Sequence, residues 1–288
     1  MMVSVAVPVA QVRVPGRSAG GELRAIKIVW EREVVRFASD RVRMITSLVQ
    51  PLLFLFVLGT GLSRIANAGT GGLNLRTFLY PGILAMAVMF TAMFSAASIV
   101  WDREFGFLRE MLVAPIRRSS IVLGKCLGGA TVATFQGVLV ICLAGLVDVP
   151  YAPSLILEVF AMQTLLAYML TAFGVMVAAR IKQIQSFMAL TQMLIMPLFL
   201  LSGAMFPVTG LPTWLTVLNR LDPLTYAVDP MRRAVFAHLK LTPEVREHLS
   251  PGVTWLGWQV PSLLCAAVVA VLGAAMTAVA IAEFNQSD

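Results

Sequence analysis

The sequence has little charge. Asp, Glu, Lys and Arg make up 13% of its 288 residues, about half of the roughly 25% that is typical of soluble domains. Hydrophobic residues make up 58%, and the mean hydropathy is +0.84. A chain with so few polar residues cannot cover a water-facing surface, so the composition excludes a soluble globular protein and indicates an integral membrane protein.

Histidine and cysteine are also scarce, with 2 and 3 residues. No CxxC or HExxH occurs, and no Ser, His and Asp set is supported by spacing. We therefore expect no catalytic site and no metal site in this chain. The cysteines Cys126, Cys142 and Cys265 lie in or beside apolar runs, where we expect them to be small core residues.

Long runs without Asp, Glu, Lys or Arg are abundant. A helix needs about 20 apolar residues to cross a hydrocarbon core of about 30 Å. Two runs in the second half are longer than one crossing and contain Pro and Gly, so we read each as one span plus a re-entrant or interfacial segment. The sequence therefore predicts an all-α membrane protein of six spans: approximately 44–63, 77–101, 123–147, 155–179, 183–204 and 258–282.

The remaining segments complete the predicted organisation. Residues 1–21 lack a continuous apolar core and are expected to form a flexible tail rather than a cleavable signal peptide. Residues 22–43 are expected to form a separate helix, the stretch 203–257 an outer re-entrant or interfacial segment, and 283–288 a short tail. The six spans and the outer segment together make 44–282 one transmembrane domain.

Basic residues predict the orientation. With the N-terminus inside, fifteen Lys and Arg fall on the cytoplasmic side and seven on the outer side. This bias predicts that both termini are cytoplasmic. Basic inner loops facing anionic lipids explain the net charge of +7 without a nucleic-acid partner.

The helix expected at 22–43 is amphipathic. At 100° per residue its large apolar residues fall on one narrow stripe, with charged residues elsewhere around the wheel. The pattern favours a helix lying in the inner membrane interface, with the indole at headgroup level. The alternative is an ordinary amphipathic helix packed on a soluble domain, but the sequence predicts no soluble domain to receive it. The stripe consists of Leu23, Ile26, Trp30, Val34 and Phe37.

The connection between spans 2 and 3, DREFGFLREMLVAPIRRSSIVLGK, is a charged segment between two apolar runs. Phe105, Leu108, Met111 and Leu112 recur at helical spacing, and Pro115 ends the pattern. A short helix of this kind can place apolar side chains in a partner's groove while its charges fix the register. A solvated loop that follows the positive-inside rule explains the same residues equally well.

This segment resembles the signature of ABC type-2 permeases, in particular the membrane subunits of daunorubicin-resistance-type drug exporters. The resemblance rests on an acidic residue, a Gly, a Glu, an apolar pair, a Pro and a final Gly-Lys. A second block, LSGAMFPVTGLPTWLTVLNRLDPLTYAVDPMRRAV, is similar to the family's outer segment after span 5. Phe107 departs from the family, in which a small residue is common. The matching residues are Glu104, Gly106, Glu110, Met111, Leu112, Pro115, Gly124 and Lys125.

The resemblance implies a half-transporter. Two permease chains, identical or different, would form the pathway, and each would dock a cytoplasmic coupling helix on one of two separate ABC ATPase subunits. ATP and Mg²⁺ would be bound by those partners, because this chain has no GxxxxGK[ST] phosphate-binding motif. The implied coupling helix comprises Glu104, Phe105, Gly106, Leu108, Arg109, Glu110, Met111, Leu112 and Pro115.

The charge-free runs also bear on the driving force and the cargo. Ion-coupled carriers keep a charged residue near midplane, whereas here only Glu158 adjoins a run, which argues against a proton-driven pump. We expect export of a hydrophobic drug, lipid or glycolipid; the alternative is a non-transporting polytopic scaffold or assembly protein. Helix packing explains the Met- and Phe-rich faces as well as a lining role does. The candidate pathway residues are Met89, Phe90, Met93, Met193 and Met196.

Overall fold

The computed structural model describes residues 19–61, 74–107, 111, 116–206, 212–239, 241–255 and 258–286. Nearly all of them are helical. The helices are α1 (Ala19–Ser39), α2 (Arg41–Leu53, continued by π-helical Phe54–Leu58 and by Gly59–Gly61), α3 (Leu75–Glu104), α4 (Arg118–Ile141), α5 (Pro153–Arg180), α6 (Ile184–Leu201), α7 (Thr213–Leu221), α8 (Thr225–Ala237), α9 (Pro243–Leu249) and α10 (Ser262–Gln286).

Six helices in this part of the chain are long and apolar enough to cross a membrane, namely α2 with its continuation, α3 to α6, and α10. They are called spans 1 to 6 below. The predicted all-α membrane fold with six spans is confirmed. The interfacial position of α1 and the re-entrant character of the outer segment stay predictions.

Span 2 lies at the centre of the bundle. In its most apolar window 83% of residues are buried, compared with 72% in span 3 and 56% in span 4. Spans 1, 5 and 6 surround this centre and bury only 17%, 22% and 28% of theirs. Their outward faces are therefore available to lipid or to another chain.

Small residues allow the central helices to pack closely. A Cβ on Gly129 of span 3 would meet Cγ2 of Thr171 at 2.5 Å, and a Cβ on Gly174 of span 4 would meet Cβ of Ala96 at 2.6 Å. Without a hydrophobic driving force between helices in lipid, close packing of this kind holds a bundle together. Substitution of either glycine by a larger residue would force the spans apart.

Spans 3 and 6 differ most from the expected bounds. Span 3 begins at Arg118 rather than at 123, so Lys125 lies two turns inside the helix instead of in its first turn. It ends at Ile141 rather than at 147 and is followed by a 3₁₀ turn, Ala144–Val147. Span 6 runs to Gln286, so most of the expected C-terminal tail is helical. Ion pairs hold charged residues within both helices: Lys125 contacts two buried acids, and Glu283 pairs with Arg180 at 2.5 Å.

The segment between spans 5 and 6 forms α7, α8, α9 and a short antiparallel hairpin in which Thr254 faces Gln259 and Trp255 faces Trp258. Most of α8 is buried, and it packs against spans 2, 4 and 6. α7 carries the exposed Trp214. The expected outer segment is thus a compact cap built around α8.

Candidate functional site

The end of span 2 carries three consecutive charged residues, Asp102, Arg103 and Glu104, and each contacts a different part of the bundle. Asp102 is buried within the last turn of the helix, with 4% of its surface exposed. Arg103 and Glu104 point to the loop that joins spans 4 and 5. The tip of one helix is therefore tied to several others.

Lys125 of span 3 lies at the centre of a buried ionic network. Its Nζ is 2.5 Å from Oε1 of Glu33 in α1 and 2.5 Å from Oδ2 of Asp102, and it donates a hydrogen bond of 3.0 Å to Oγ of Ser98. The three charged residues expose only 3 to 4% of their surfaces. All three ammonium protons thus have an acceptor, as a buried Lys requires.

Two arginines of α1 complete the network from its rim. Arg32 donates to Oδ2 of Asp102, and Nη1 of Arg36 lies 3.9 Å from Oδ1. The Arg36 guanidinium also lies over the ring of Trp101, 5.0 Å from its centroid, where a cation–π attraction holds it. We call this network the helix-end cluster; it consists of Arg32, Glu33, Arg36, Ser98, Asp102 and Lys125.

The negative and positive charges of the helix-end cluster compensate one another only when all of its charged residues are present. Two buried carboxylates face one buried ammonium, and the second negative charge is matched by the half-exposed Arg32. A buried ion pair contributes little net stability, but removal of one partner leaves a buried charge and costs about 3–5 kcal/mol. The cluster therefore fixes how α1, span 2 and span 3 meet.

Arg103 and Glu104 connect the same helix tip to spans 4 and 5. Arg103 Nη1 donates to the carbonyl oxygens of Ala178 at 3.2 Å and Ile181 at 2.7 Å, at the end of span 4. Glu104 Oε2 accepts a hydrogen bond of 2.9 Å from the backbone N–H of Ile184, at the start of span 5. A carboxylate at a helix N-terminus satisfies an amide that has no partner within the helix and complements the helix dipole.

The start of span 3 is held in a similar way by α1. Glu22 Oε2 accepts hydrogen bonds from the backbone N–H of Arg117 at 3.1 Å and from Oγ of Ser120 at 2.5 Å. Arg118 Nη1 donates to the carbonyl of Phe284 at the end of span 6, at 2.7 Å. The polar contacts at this end of the bundle thus include α1 and spans 2 to 6.

Span 2 ends in an exposed aromatic tip. Gly106 has a φ of +84°, a left-handed conformation that a residue with a Cβ rarely adopts, and it stops the helix after Glu104. Phe105 and Phe107 on either side are 71% and 54% exposed. Met111 is partly buried, and its sulfur accepts from Arg32 Nη1 at 3.5 Å.

The structure therefore describes only part of the predicted coupling helix. Glu104 is the last residue of span 2 rather than the first residue of a separate helix. The helix expected over the rest of the segment stays a prediction. Five of its residues lie outside the described part of the chain: Leu108, Arg109, Glu110, Leu112 and Pro115.

The packed face of α1 is rotated relative to the predicted apolar stripe. Its buried residues are Ala25, Val29, Glu33 and Phe37, whereas Leu23 is 68% exposed. The other stripe residues, Ile26, Trp30 and Val34, are partly buried, and Trp30 Nε1 donates to Oγ1 of Thr131 in span 3 at 3.0 Å. The rotation places Glu33 against Lys125, so an ion pair outweighs the hydrophobic pattern.

The five candidate pathway residues lie in three different environments. Met89 and Met93 are 0% and 1% exposed and belong to the packed core. Met193 and Met196 are 67% and 54% exposed on span 5. Phe90 borders a cavity that lies between α1 and spans 1, 2 and 5.

The sequence does not predict that Glu33, Asp102 and Lys125 form a group. It places the last two at the ends of the charged connection between spans 2 and 3, and it indicates Glu158 as the only acid beside a span. A usable signal was present: Asp102 follows a long charge-free run and Lys125 precedes another. Lone charges at such positions pair with one another or with backbone carbonyls.

Comparison with known proteins identifies one family and several relatives of this chain. The sequence profile described as "ABC-2 type transporter" matches residues 24–236. The putative transport permease ycf38 of Cyanophora paradoxa is 30% identical over 217 residues, which cover 73% of each chain. Nodulation protein J of Rhizobium leguminosarum bv. trifolii is 30% identical over 224 residues, covering 76% of this chain and 84% of the relative.

A third relative matches a shorter stretch. The probable multidrug ABC transporter permease YbhR of Escherichia coli K12 is 30% identical over 167 residues, which cover 57% of this chain and 45% of that protein. The profile match extends from α1 to the end of α8 and therefore includes every residue of the helix-end cluster.

Proposed function

This chain belongs to the ABC-2 type transporter family, and on that premise we propose that it is the permease of an exporter driven by a separate ATPase. As a family member it is a membrane transport subunit. The proposed cargo is a hydrophobic drug, lipid or glycolipid that leaves the cytoplasm or the inner leaflet of a bacterial plasma membrane. The name of one relative, the probable multidrug ABC transporter permease YbhR, supports this class of cargo.

The proposed complex contains two permease chains and two ATPase subunits. ATP and Mg²⁺ bind in the ATPases, and each ATPase receives the coupling helix of one permease, residues 104–115. The exposed Phe105 and Phe107 beside the helix-breaking Gly106 support docking at this point. Exposed aromatic side chains at a helix tip are typical anchors of a protein interface.

One observation carries the proposal: the tip of span 2 is bonded to α1 and to spans 3, 4 and 5 through three consecutive residues. Helices are stiff, so a displacement of this tip by a partner moves the elements attached to it. Coupling between distant sites travels through such chains of packed and hydrogen-bonded groups. A solvated loop would need none of these connections.

Photo-crosslinking tests the docking directly. The permease is coexpressed with a candidate ABC ATPase from the same genome, and a benzoylphenylalanine replaces Phe107. Trp214, which is 65% exposed at the opposite end of the bundle, is replaced in the matched control. We expect a crosslink to the ATPase from position 107 and none from position 214.

Charge reversal provides a second readout. Glu110→Arg is expected to reduce copurification of the ATPase by at least about tenfold, because like charges across an interface are strongly unfavourable. Unchanged copurification and no crosslink from position 107 would contradict the proposal. If no ATPase is retained by the unmodified chain either, the scaffold function is the correct one.

A further inference from the structure

A cavity of about 320 Å³ opens between the end of α1 and spans 1, 2 and 5. It lies beside Trp101, next to the helix-end cluster, but shares no charged residue with it. Its walls differ in chemistry: span 1 contributes polar side chains, and the opposite walls are mainly aromatic. A mixed cavity of this kind suits a ligand that is polar at one end and apolar at the other.

The polar wall is a stripe along one face of span 1. Arg43, Thr46, Ser47 and Gln50 all line the cavity, and their spacing of three, four and seven residues places them on one side of the helix. Span 2 forms the facing wall of the cavity; Arg43 and Ser47 are half-buried there, and Thr46 and Gln50 are more exposed. In a span with a mean hydropathy of 1.8, four polar side chains along one cavity wall indicate a polar occupant.

Arg43 brings a positive charge to this wall without a partner. Among the described residues its guanidinium forms no ion pair or hydrogen bond; the neighbouring Asp40 accepts from its backbone N–H instead, at 3.0 Å. The nearby Arg32 and Arg36, by contrast, both bond Asp102. A half-buried guanidinium with five free donors is suited to a carboxylate, sulfate or phosphate group.

Thr91 of span 2 gives an independent observation on the same cavity. It is only 3% exposed, and its hydroxyl lacks a hydrogen-bond partner in the described structure. A buried hydroxyl without a partner costs about 1–3 kcal/mol, and most helical Thr residues avoid this by bonding a carbonyl one turn back. The hydroxyl therefore has a donor and two acceptor positions for a ligand in the cavity.

The remaining wall is suited to an apolar group. Phe90 and Phe94 stack at 6.2 Å between ring centroids, and Phe37, Trp101 and Met188 extend the same surface. Aromatic rings and a flexible thioether accommodate alkyl chains or fused rings of varied shape. The cavity is open on one side, so a longer apolar chain can continue into the surrounding bilayer.

We propose that this cavity binds a single amphiphile with an anionic headgroup, and that such molecules are the class of cargo this permease exports. The headgroup would pair with Arg43 and bond Thr91 and the span 1 stripe, while the apolar part lies on the aromatic wall. The second statement rests on the proposed function; the binding itself does not, because it involves only this chain.

Binding is measured on the purified full-length permease in neutral detergent, without the ATPase. The probe is a fluorescent short-chain phosphatidylglycerol, compared with a phosphatidylcholine that carries the same fluorophore and chain. We expect phosphatidylglycerol to bind at least about tenfold more tightly. Arg43→Gln should abolish that difference, Arg43→Lys should retain most of it, and Thr91→Val should weaken binding several-fold.

Arg41→Gln is the matched control, because Arg41 is exposed two residues away on the same helix and does not line the cavity. It should leave the affinity within about twofold. Equal losses for positions 41 and 43 would overturn the proposal in favour of general surface attraction. Displacement of the probe by millimolar inorganic phosphate would likewise overturn it, since the site would then recognise an anion alone.

A second copy of the chain is the competing occupant of the cavity. If Gln50→Cys forms a disulfide-linked dimer in membranes, span 1 meets its counterpart there and the proposal fails. If the amphiphile binds as expected but the ATPase never copurifies, the binding site stands and the exporter function fails. The experiments can therefore contradict the exporter function without contradicting the binding site, and the reverse.

Discussion

Both ends of the bundle contain buried charged side chains, but these side chains have different kinds of partners at the two ends. At the end of span 2, ion pairs join side chains that are 23 and 92 residues apart in the sequence, Lys125 with Asp102 and with Glu33. At the opposite end, Asp229 and Arg233 pair within one turn of α8 at 2.5 Å. The first arrangement joins separate helices, and the second is local.

The α8 cluster, which consists of Asp229, Arg232 and Arg233, forms most of its remaining hydrogen bonds with the backbone. Arg232 donates to the carbonyls of Gly203 at 2.6 Å and Ala204 at 3.1 Å, and its guanidinium lies 4.5 Å from the centroid of the Phe78 ring. Burial lowers the pKa of Arg232 to about 10, with Asp229 opposing the shift, so it stays charged at neutral pH.

Side-chain partners and backbone partners have different consequences. Asp102 is approached by Lys125, Arg32 and Arg36, so a sliding helix can exchange one cation for another without leaving a buried charge alone. The carbonyls that bind Arg232 are fixed by the turn after span 5. The helix-end cluster therefore permits movement between helices, whereas the α8 cluster holds α8 in a fixed position.

Removal of Lys125 should have the largest effect. Lys125→Met leaves Glu33 and Asp102 buried and should lower stability by about 3–5 kcal/mol. Thermal melting followed by size-exclusion chromatography in detergent measures the loss. The double variant Lys125→Met/Glu33→Gln should recover part of it, because one buried charge is removed with its partner.

Lys27→Met is the control for this change. Lys27 pairs with Glu31 at 3.5 Å on the exposed side of α1, with both side chains at least half exposed. Its removal should change stability by no more than about 0.5 kcal/mol. Similar losses of stability in the two lysine variants would show that the helix-end cluster contributes no more to stability than an exposed ion pair does.

Loss of Arg232 should be the next largest effect. Arg232→Met removes charge-assisted hydrogen bonds to two buried carbonyls and should destabilise by about 2–3 kcal/mol. Arg246→Met, in the exposed part of the same segment, should stay within about 0.5 kcal/mol. We expect Arg232→Met to lower the melting temperature without changing ATPase coupling. An Arg232→Met variant that is uncoupled but as stable as the unmodified chain would contradict this expectation.

Asp222 provides a pH-dependent test at the α8 end. Burial raises the pKa of Asp222 to about 7, although the Leu224 N–H donates to its Oδ1 at 3.0 Å. Since the folded state holds the proton more tightly than the unfolded chain, stability should fall as pH rises from about 4 to about 7 and then level off. Melting temperatures between about pH 5 and pH 8 measure this slope.

Asp222→Asn keeps the oxygen acceptor and removes the titration. It should flatten the slope and stabilise the protein at about pH 8 by up to a few kcal/mol. A variant with the same slope as the unmodified chain would show that another group titrates.

The smallest effect is expected at Glu104. Glu104→Ala removes the acceptor for the Ile184 N–H and should cost about 1 kcal/mol, as for other lost helix caps. Glu158→Ala, an exposed acid near the start of span 4, should be nearly neutral. A loss at position 104 as large as that at Lys125 would mean that the cap, and not the helix-end cluster, dominates this end.

The six spans could be predicted because apolar length alone decides which helices cross a membrane. The start of span 3 could not be predicted in this way. Apolar length put that start near 123, whereas the helix begins at Arg118, whose side chain donates to the Phe284 carbonyl; the paired Lys125 lies two turns further in. Pairing depends on the fold, and no local pattern encodes it.

The helix-end cluster was hidden for the same reason. Helical periodicity placed Leu23 on the contact face of α1, but Glu33 is buried and Leu23 is exposed. The segment that carries the family resemblance did mark the right region, including Glu104 and Lys125. What it could not show is that Asp102 bonds α1, which begins about 80 residues earlier in the chain.

We propose that the helix-end cluster transmits the action of the ATPase to the bundle. A single cysteine replaces Ser47 in a chain whose native cysteines are changed to Ala, and its maleimide labelling rate is compared between the nucleotide-free and vanadate-trapped complexes. We expect the labelling rate to change several-fold between the two complexes in the otherwise unmodified chain and in Lys27→Met, and to stay the same in Lys125→Met although the ATPase remains bound. A full change of the labelling rate in Lys125→Met would contradict this role of the cluster.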